Sequence, residues 1–176
     1  MNPFFTIGHS TRSIETFVGL LRSADVRLVV DVRTVQRSRA NPQYNRDALP
    51  AALAASGVAY EAVPALGGLR GKRRGFPSET NAFWVNESFH NYADYAASDA
   101  FASGLLELRR LGSERRSAIM CAEALWWRCH RRIIADYLIA AGETVYHILG
   151  PGHAEPARMT SAARPGPGGT LVYPAI

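Results

Sequence analysis

The stretch "CAEALWWRCHRR", Cys121 to Arg132, places two thiols, a carboxylate, two indoles, an imidazole and three guanidiniums within twelve residues. Cys121 and Cys129 are the only cysteines in the chain. A cysteine becomes a nucleophile as its thiolate, which neighbouring cations and the exposed amides of a helix start favour. His130, Arg131 and Arg132 follow Cys129 directly, so Cys129, expected in the first turn of a helix, is the candidate nucleophile. Cys121 is its possible redox partner, or simply a small buried hydrophobe, since free cysteines are among the most buried residues. Two cysteines with His9 or His130 can also be read as a Cys2His2 metal set. The gap between the cysteines is unlike the compact pairs of zinc ribbons, and no metal is assigned.

Carboxylates that can handle protons are Glu123 and Asp31, each with an arginine nearby in sequence. Arg33 and Arg131 suit an anion, because a guanidinium presents a bidentate fork to phosphate or carboxylate. The alternative for these four is an ion-pair network beneath the loops. His9 sits in a Gly-His-Ser turn whose amides can cradle a phosphate, with Ser10 beside it. His147, inside an apolar run, reads as a hydrogen-bonded core histidine. Trp126 and Trp127 can stack on a base or cover the site, although packing is the commoner role of such residues.

The elements that must position these residues alternate along the chain. "FFTI" (Phe4–Ile7), "RLVVDVR" (Arg27–Arg33), "VAYEAVP" (Val58–Pro64), "SAIMCAE" (Ser117–Glu123) and "TVYHILG" (Thr144–Gly150) read as strands. Helical spacing recurs after Ser13, after Asp47, around Phe83–Ala96 and Asp99–Leu111, and from Cys129 onward. Strands separated by helices predict one α/β domain, three-layered and Rossmann-like, with a mainly parallel sheet of about five strands. Residues 1–150 form this domain; residues 151–176 read as a Pro/Gly-rich tail, with "TLVYP" as a short added strand. Open parallel sheets bind ligands beyond the carboxyl ends of their strands. His9, Asp31, Arg33, Cys121, Glu123 and Arg131 all follow or end a strand, so one shared pocket is expected for them.

Composition bounds the function. The chain has 176 residues, 47% of them hydrophobic and 20% charged, as in a globular domain. No apolar run approaches the roughly 20 residues that span a bilayer, and the start lacks the pattern of a signal peptide. A cytoplasmic protein without membrane partners is the expectation. The formal charge of +5 points to anionic partners, a small molecule or nucleic acid. Arg37–Arg39 and Arg70–Arg74 are the basic loops suited to nucleic-acid phosphates, though without a base-reading motif.

"TIGHS", "DVR", Leu66-Gly67-Gly68, "CAE" followed by "CHR", and the late "VYHI" occur in an order that resembles the domain-of-unknown-function 488 (DUF488) family. The resemblance covers about Thr6 to Ile148. It implies an α/β domain with Cys-x-Glu and Cys-His-Arg as signature positions. Gly67 and Gly68, which follow the third strand, and His130, at the start of the last helix, complete the candidate substrate-binding residues. The resemblance brings no established reaction and no cofactor. The leading expectation is therefore a small enzyme, a hydrolase or transferase with a cysteine nucleophile, acting on a phosphorylated or nucleotide-like substrate. The alternatives are a non-catalytic nucleic-acid-binding module and a thiol-based redox or metal sensor.

Overall fold

The computed structural model describes all 176 residues. Five parallel strands form its sheet: β1 (Phe4–Gly8), β2 (Leu28–Asp31), β3 (Ala59–Ala62), β4 (Ser117–Cys121) and β5 (Val145–Gly150). A sixth, β6 (His153–Pro156), joins β5 antiparallel, giving the order β3-β2-β4-β1-β5-β6. The helices are α1 (Ile14–Ser23), α2 (Leu49–Ala54), α3 (Glu87–Tyr95), α4 (Asp99–Glu114) and α5 (Arg131–Ala140). The fold is thus the mainly parallel, Rossmann-like α/β arrangement that the alternating pattern predicts.

Successive strand residues point to opposite faces of the sheet, and the core divides accordingly. Phe5, Ile7, Val29, Ala118 and Met120 pack with Phe17, Leu21, Leu49 and Leu53 of α1 and α2. Phe4, Leu28, Val30, Ile119 and Val145 pack on the other face with residues of α3, α4 and α5. Each such side chain fully buried contributes about 1.5–3 kcal/mol. Ser13 caps α1, its hydroxyl accepting from the Thr16 amide; Asn86 and Ser98 cap α3 and α4 in the same way.

The connectivity creates the crevice. β1 and β4 are neighbours, with Gly8 opposite Cys121. The chain leaves β1 for α1 on one face and leaves β4 for α5 on the other. Two adjacent strands whose connections part to opposite faces leave an opening at their carboxyl ends, where ligands of such sheets bind. Gly8 is required there: a Cβ would stand 1.9 Å from the Glu123 carbonyl oxygen.

The segment after Gly150, expected to be linker-like, packs onto the domain. Besides β6, a separate hairpin pairs β7 (Arg164–Pro165) with β8 (Leu171–Val172), so the short added strand belongs to its own two-stranded sheet. Ala162, Leu171 and Tyr173 are buried in the core on the α5 side. Asp136 of α5 anchors them, accepting hydrogen bonds from the Thr160 amide at 2.8 Å and the Tyr173 hydroxyl at 2.9 Å.

Candidate active site

Side-chain parity carries past the strand ends and sorts the polar residues into two groups. On the α1 side, Arg33 grips Asp31 with Nε at 2.9 Å and Nη2 at 2.7 Å, and Nη2 also donates to the Tyr44 carbonyl at 2.7 Å. The second Asp31 oxygen further accepts from the Tyr60 hydroxyl. Asp31 is fully buried and its carboxylate bonds only Arg33 and Tyr60, so it orients Arg33. Burial works against the Arg33 charge, but Asp31 more than offsets this and raises its pKa. The remaining arm, Nη1, lies 3.4 Å from His9 Nε2.

His9 is held by its own turn. Nδ1 lies 2.8 Å from the Ser10 carbonyl oxygen, which can only accept, so Nδ1 carries the proton and Nε2 is the free lone pair. The ring stacks on Tyr44 with centroids 4.2 Å apart. Burial, partly opposed by the Ser10 hydrogen bond, lowers the His9 pKa and keeps it neutral.

On the α5 side the sulfurs of Cys121 and Cys129 are 2.7 Å apart, both as free thiols. Cys129 does not lie in the first helical turn. A 3-10 turn at Trp126–Arg128 precedes it, its own backbone is extended, and α5 begins two residues later at Arg131. The sulfur nevertheless faces the helix start: the Arg131 amide lies 3.4 Å and the Arg131 Nε 3.3 Å from it. His130 Nδ1 is 3.4 Å from the same sulfur, while His130 Nε2 lies 2.9 Å from the Val32 carbonyl. The carbonyl fixes the proton on Nε2 and leaves the Nδ1 lone pair facing the Cys129 sulfur. Burial disfavours a thiolate at Cys129, but the hydrogen bond from Cys121 and the fields of His130 and Arg131 outweigh it, and its pKa falls well below the ordinary thiol value. Burial and the neighbouring sulfur push Cys121 the other way, so it stays a thiol.

Arg131 is only 1% exposed. Besides Cys129, it donates to the Glu123 carbonyl at 2.6 Å and to the Thr6 hydroxyl at 3.3 Å. It therefore lies under the sulfur, not in the opening where the sequence suggested an anion ligand. The Thr6 hydroxyl continues to His147 Nδ1 at 2.7 Å, and His147 stacks on Trp126 with centroids 4.2 Å apart. His147 is a core histidine whose pKa burial lowers to about 4, with Arg131 acting in the same direction. Trp126 packs against it instead of covering the cysteines, and Trp127 is partly exposed.

The two groups meet at a pocket of about 420 Å³ lined by His9, Arg33, Gly68, Cys121, Glu123, Cys129 and His130. Asp31 and Arg131 lie behind this wall, bonded to Arg33 and Cys129 respectively. Ser10 borders an adjoining depression with His9 and Glu123. Gly67 does not reach the pocket; its close neighbour is Thr34, 2.4 Å from where a Cβ would stand. Gly68 makes room for the base, since a Cβ there would lie 2.5 Å from His130 Nδ1. The Glu123 carboxylate is exposed, with Oε1 accepting from the Leu125 amide at 3.0 Å. No group of three or more His, Cys, Asp or Glu side chains is arranged to hold a metal ion.

Sequence reasoning passed over the rest of the lining. Arg37 and Arg128 add exposed positive charge, and Val35, Leu69, Phe89 and Tyr92 add apolar surface. Arg37 lies in the basic Arg37–Arg39 loop, the one sequence signal for this part of the lining. Nothing in the local sequence distinguishes Tyr92, whose hydroxyl donates to the Leu66 carbonyl and whose ring meets His130 edge-on at 5.1 Å.

No helix is long and apolar enough to cross a membrane. No curated protein and no solved structure gives a significant match. The family model described as "Domain of unknown function DUF488" matches residues 13–138, a span from the start of α1 into α5 that holds both cysteines, Glu123 and the Cys-His-Arg segment. The chain belongs to the DUF488 family.

Proposed function

We propose that this protein is a small enzyme that uses Cys129 as a nucleophile on a phosphorylated or nucleotide-like substrate. The observation that carries the reading is the Cys129 sulfur at the pocket wall, ringed by Cys121, His130 and both the amide and Nε of Arg131. These contacts favour a thiolate in a site that a small molecule can enter. Arg33, fixed by Asp31, and the exposed Arg37 and Arg128 give the pocket the charge an anionic group needs, while Leu69 and Phe89 suit a flat or apolar remainder.

In this reading the Cys129 thiolate attacks the electrophilic centre as the bond to the leaving group breaks, and the leaving group takes the proton that His130 received from the thiol. Water then attacks the thio-adduct as the Glu123 carboxylate takes its proton, the sulfur bond breaks and the thiolate returns; proton exchange with solvent returns Glu123 and His130 to their starting states. Asp31 and Arg131 are positioning residues. His130 accepts the Cys129 proton that primes the site, and His9 holds the Arg33 arm in place.

Release of p-nitrophenol from p-nitrophenyl phosphate tests this. Turnover is expected from the native chain and lost in Cys129→Ser; turnover absent from the native chain, or unaffected by the substitution, overturns the reading. A second reading, nucleic-acid binding, draws on the exposure of Arg37, Arg39, Lys72 and Arg74. It predicts oligonucleotide affinity that falls steeply with salt and is indifferent to Cys129→Ser.

A further inference from the structure

We propose that Cys121 and Cys129 form an oxidation site at which a small hydroperoxide converts the two thiols into an intramolecular disulfide, closing the pocket's nucleophile. The chain has no other cysteine, so any thiol chemistry with peroxide falls to this pair. The residues arrive from different elements, Cys121 at the end of β4 and Cys129 two residues before α5, yet their sulfurs are in direct contact at 2.7 Å. Both are almost completely buried, at 2% and 5% exposure, and both line the pocket. A cavity of about 420 Å³ lined by both cysteines admits a hydroperoxide to the sulfurs.

The division of labour follows from the surroundings. Cys129 carries the contacts from Arg131 and His130 that favour a thiolate. Cys121 has only Cys129 and the Glu123 carbonyl oxygen, 3.7 Å away, as partners. Peroxide-sensing cysteines combine thiolate character with an adjacent resolving thiol, and this is that combination. The Cys129 thiolate attacks one peroxide oxygen. The O–O bond breaks, an S–O bond forms, and the departing oxygen takes a proton to leave as water or an alcohol. The Cys121 sulfur then attacks the sulfenic sulfur of Cys129. An S–S bond forms, the S–O bond breaks, and the released hydroxide leaves as water with the Cys121 proton. Two thiols lose two electrons and two protons in all, and the hydroperoxide receives them.

Loss of turnover on oxidation rests on the reading of Cys129 as catalytic nucleophile; the disulfide itself does not. The test treats the full chain with increasing hydrogen peroxide, blocks remaining thiols, and digests it without reductant for mass spectrometry. The expected product is a linked pair of peptides, one bearing Cys121 and the other Cys129, lighter than the two free peptides by two hydrogens. Dithiothreitol should restore both free peptides. In Cys121→Ser the resolving thiol is gone, so dimedone should trap a sulfenic acid at Cys129, which proceeds to sulfinic acid as peroxide rises. Sulfinic acid at Cys129 of the native chain without a linked peptide overturns the proposal, as do linkage only between chains and the absence of oxidation. p-Nitrophenyl phosphate turnover followed in the same samples separates the two readings. Turnover that disappears with the disulfide supports both. A reversible disulfide in a chain that never turns over keeps the oxidation site and removes the enzyme.

Discussion

The Arg131 guanidinium lies beneath the Cys129 sulfur, with Nε 3.3 Å from Sγ and the residue only 1% exposed. A buried cation has few ways to be satisfied, and this one is held by Cys129, the Glu123 carbonyl and Thr6. Its position makes Arg131 a support for the thiolate and for the loop that carries it. Arg131→Met keeps much of the volume and removes the charge. Each charge-assisted hydrogen bond it loses is worth about 1.5–3 kcal/mol, so the denaturation midpoint should fall. The pH at which Cys129 becomes reactive should rise in the same variant. Arg131→Lys should recover part of the stability and less of the reactivity, because a compact ammonium cannot span acceptors that sit on Nε, Nη1 and Nη2 of the fork.

Gly68→Ala tests the base more selectively. The new methyl meets the His130 ring, a side chain able to shift, rather than backbone. Melting temperature should fall modestly, because the ring must swing off its Val32 hydrogen bond, and the rate of Cys129 alkylation near neutral pH should fall as Nδ1 moves from the sulfur. Gly8→Ala is the contrasting control, since its methyl meets the backbone carbonyl of Glu123 and should impair folding itself.

Asp31 and Arg33 form a buried pair with a different signature. Removing one partner of such a pair leaves a charge without compensation and typically costs about 3–5 kcal/mol. Asp31→Ala should therefore be strongly destabilising in chemical denaturation. Asp31→Ala with Arg33→Met should recover much of the loss, because no buried charge remains.

The dependence of stability on pH has a calculable sign at His147. Its pKa is about 4 in the folded chain and about 6.5 in the unfolded one. Above the unfolded value both states are neutral and His147 has no effect. As pH falls from about 6.5 to about 4 the unfolded chain gains the proton first, so stability drops across that window, by on the order of 2–3 kcal/mol. Urea denaturation at pH 7 and pH 5 should show the loss, and His147→Asn should reduce it. His9, lowered in the same direction, contributes with the same sign.

Much of this arrangement was legible in the sequence, and the exceptions have physical causes. The β-branched and apolar runs "FFTI" and "RLVVDVR" mark buried parallel strands because both faces of such a sheet are covered. The polar residues at their ends pointed to one rim. β6 escaped because its four residues, His153 to Pro156, are all exposed and carry no apolar alternation. The burial of Leu171 and Tyr173 was equally silent, since it depends on Asp136 reaching the tail from a distant helix. Spacing alone puts Arg131 and Asp31 at the ligand-facing rim, whereas the structure places them behind the pocket wall. Their orientation is set by Cys129 and Thr6 on one side and by Tyr60 on the neighbouring strand on the other, partners that spacing does not reveal.

The proposed function requires Cys129 to be a thiolate in an accessible pocket at neutral pH. The most direct measurement is the rate of its alkylation by iodoacetamide in the native chain from pH 5 to pH 10, resolved by peptide so that Cys121 is followed separately. Cys129 is expected to react without denaturant, at a rate that has reached a plateau by neutral pH, while Cys121 remains slow. A Cys129 rate that climbs only through the ordinary thiol range near pH 8.5, or that appears only after denaturation, would contradict the proposed function.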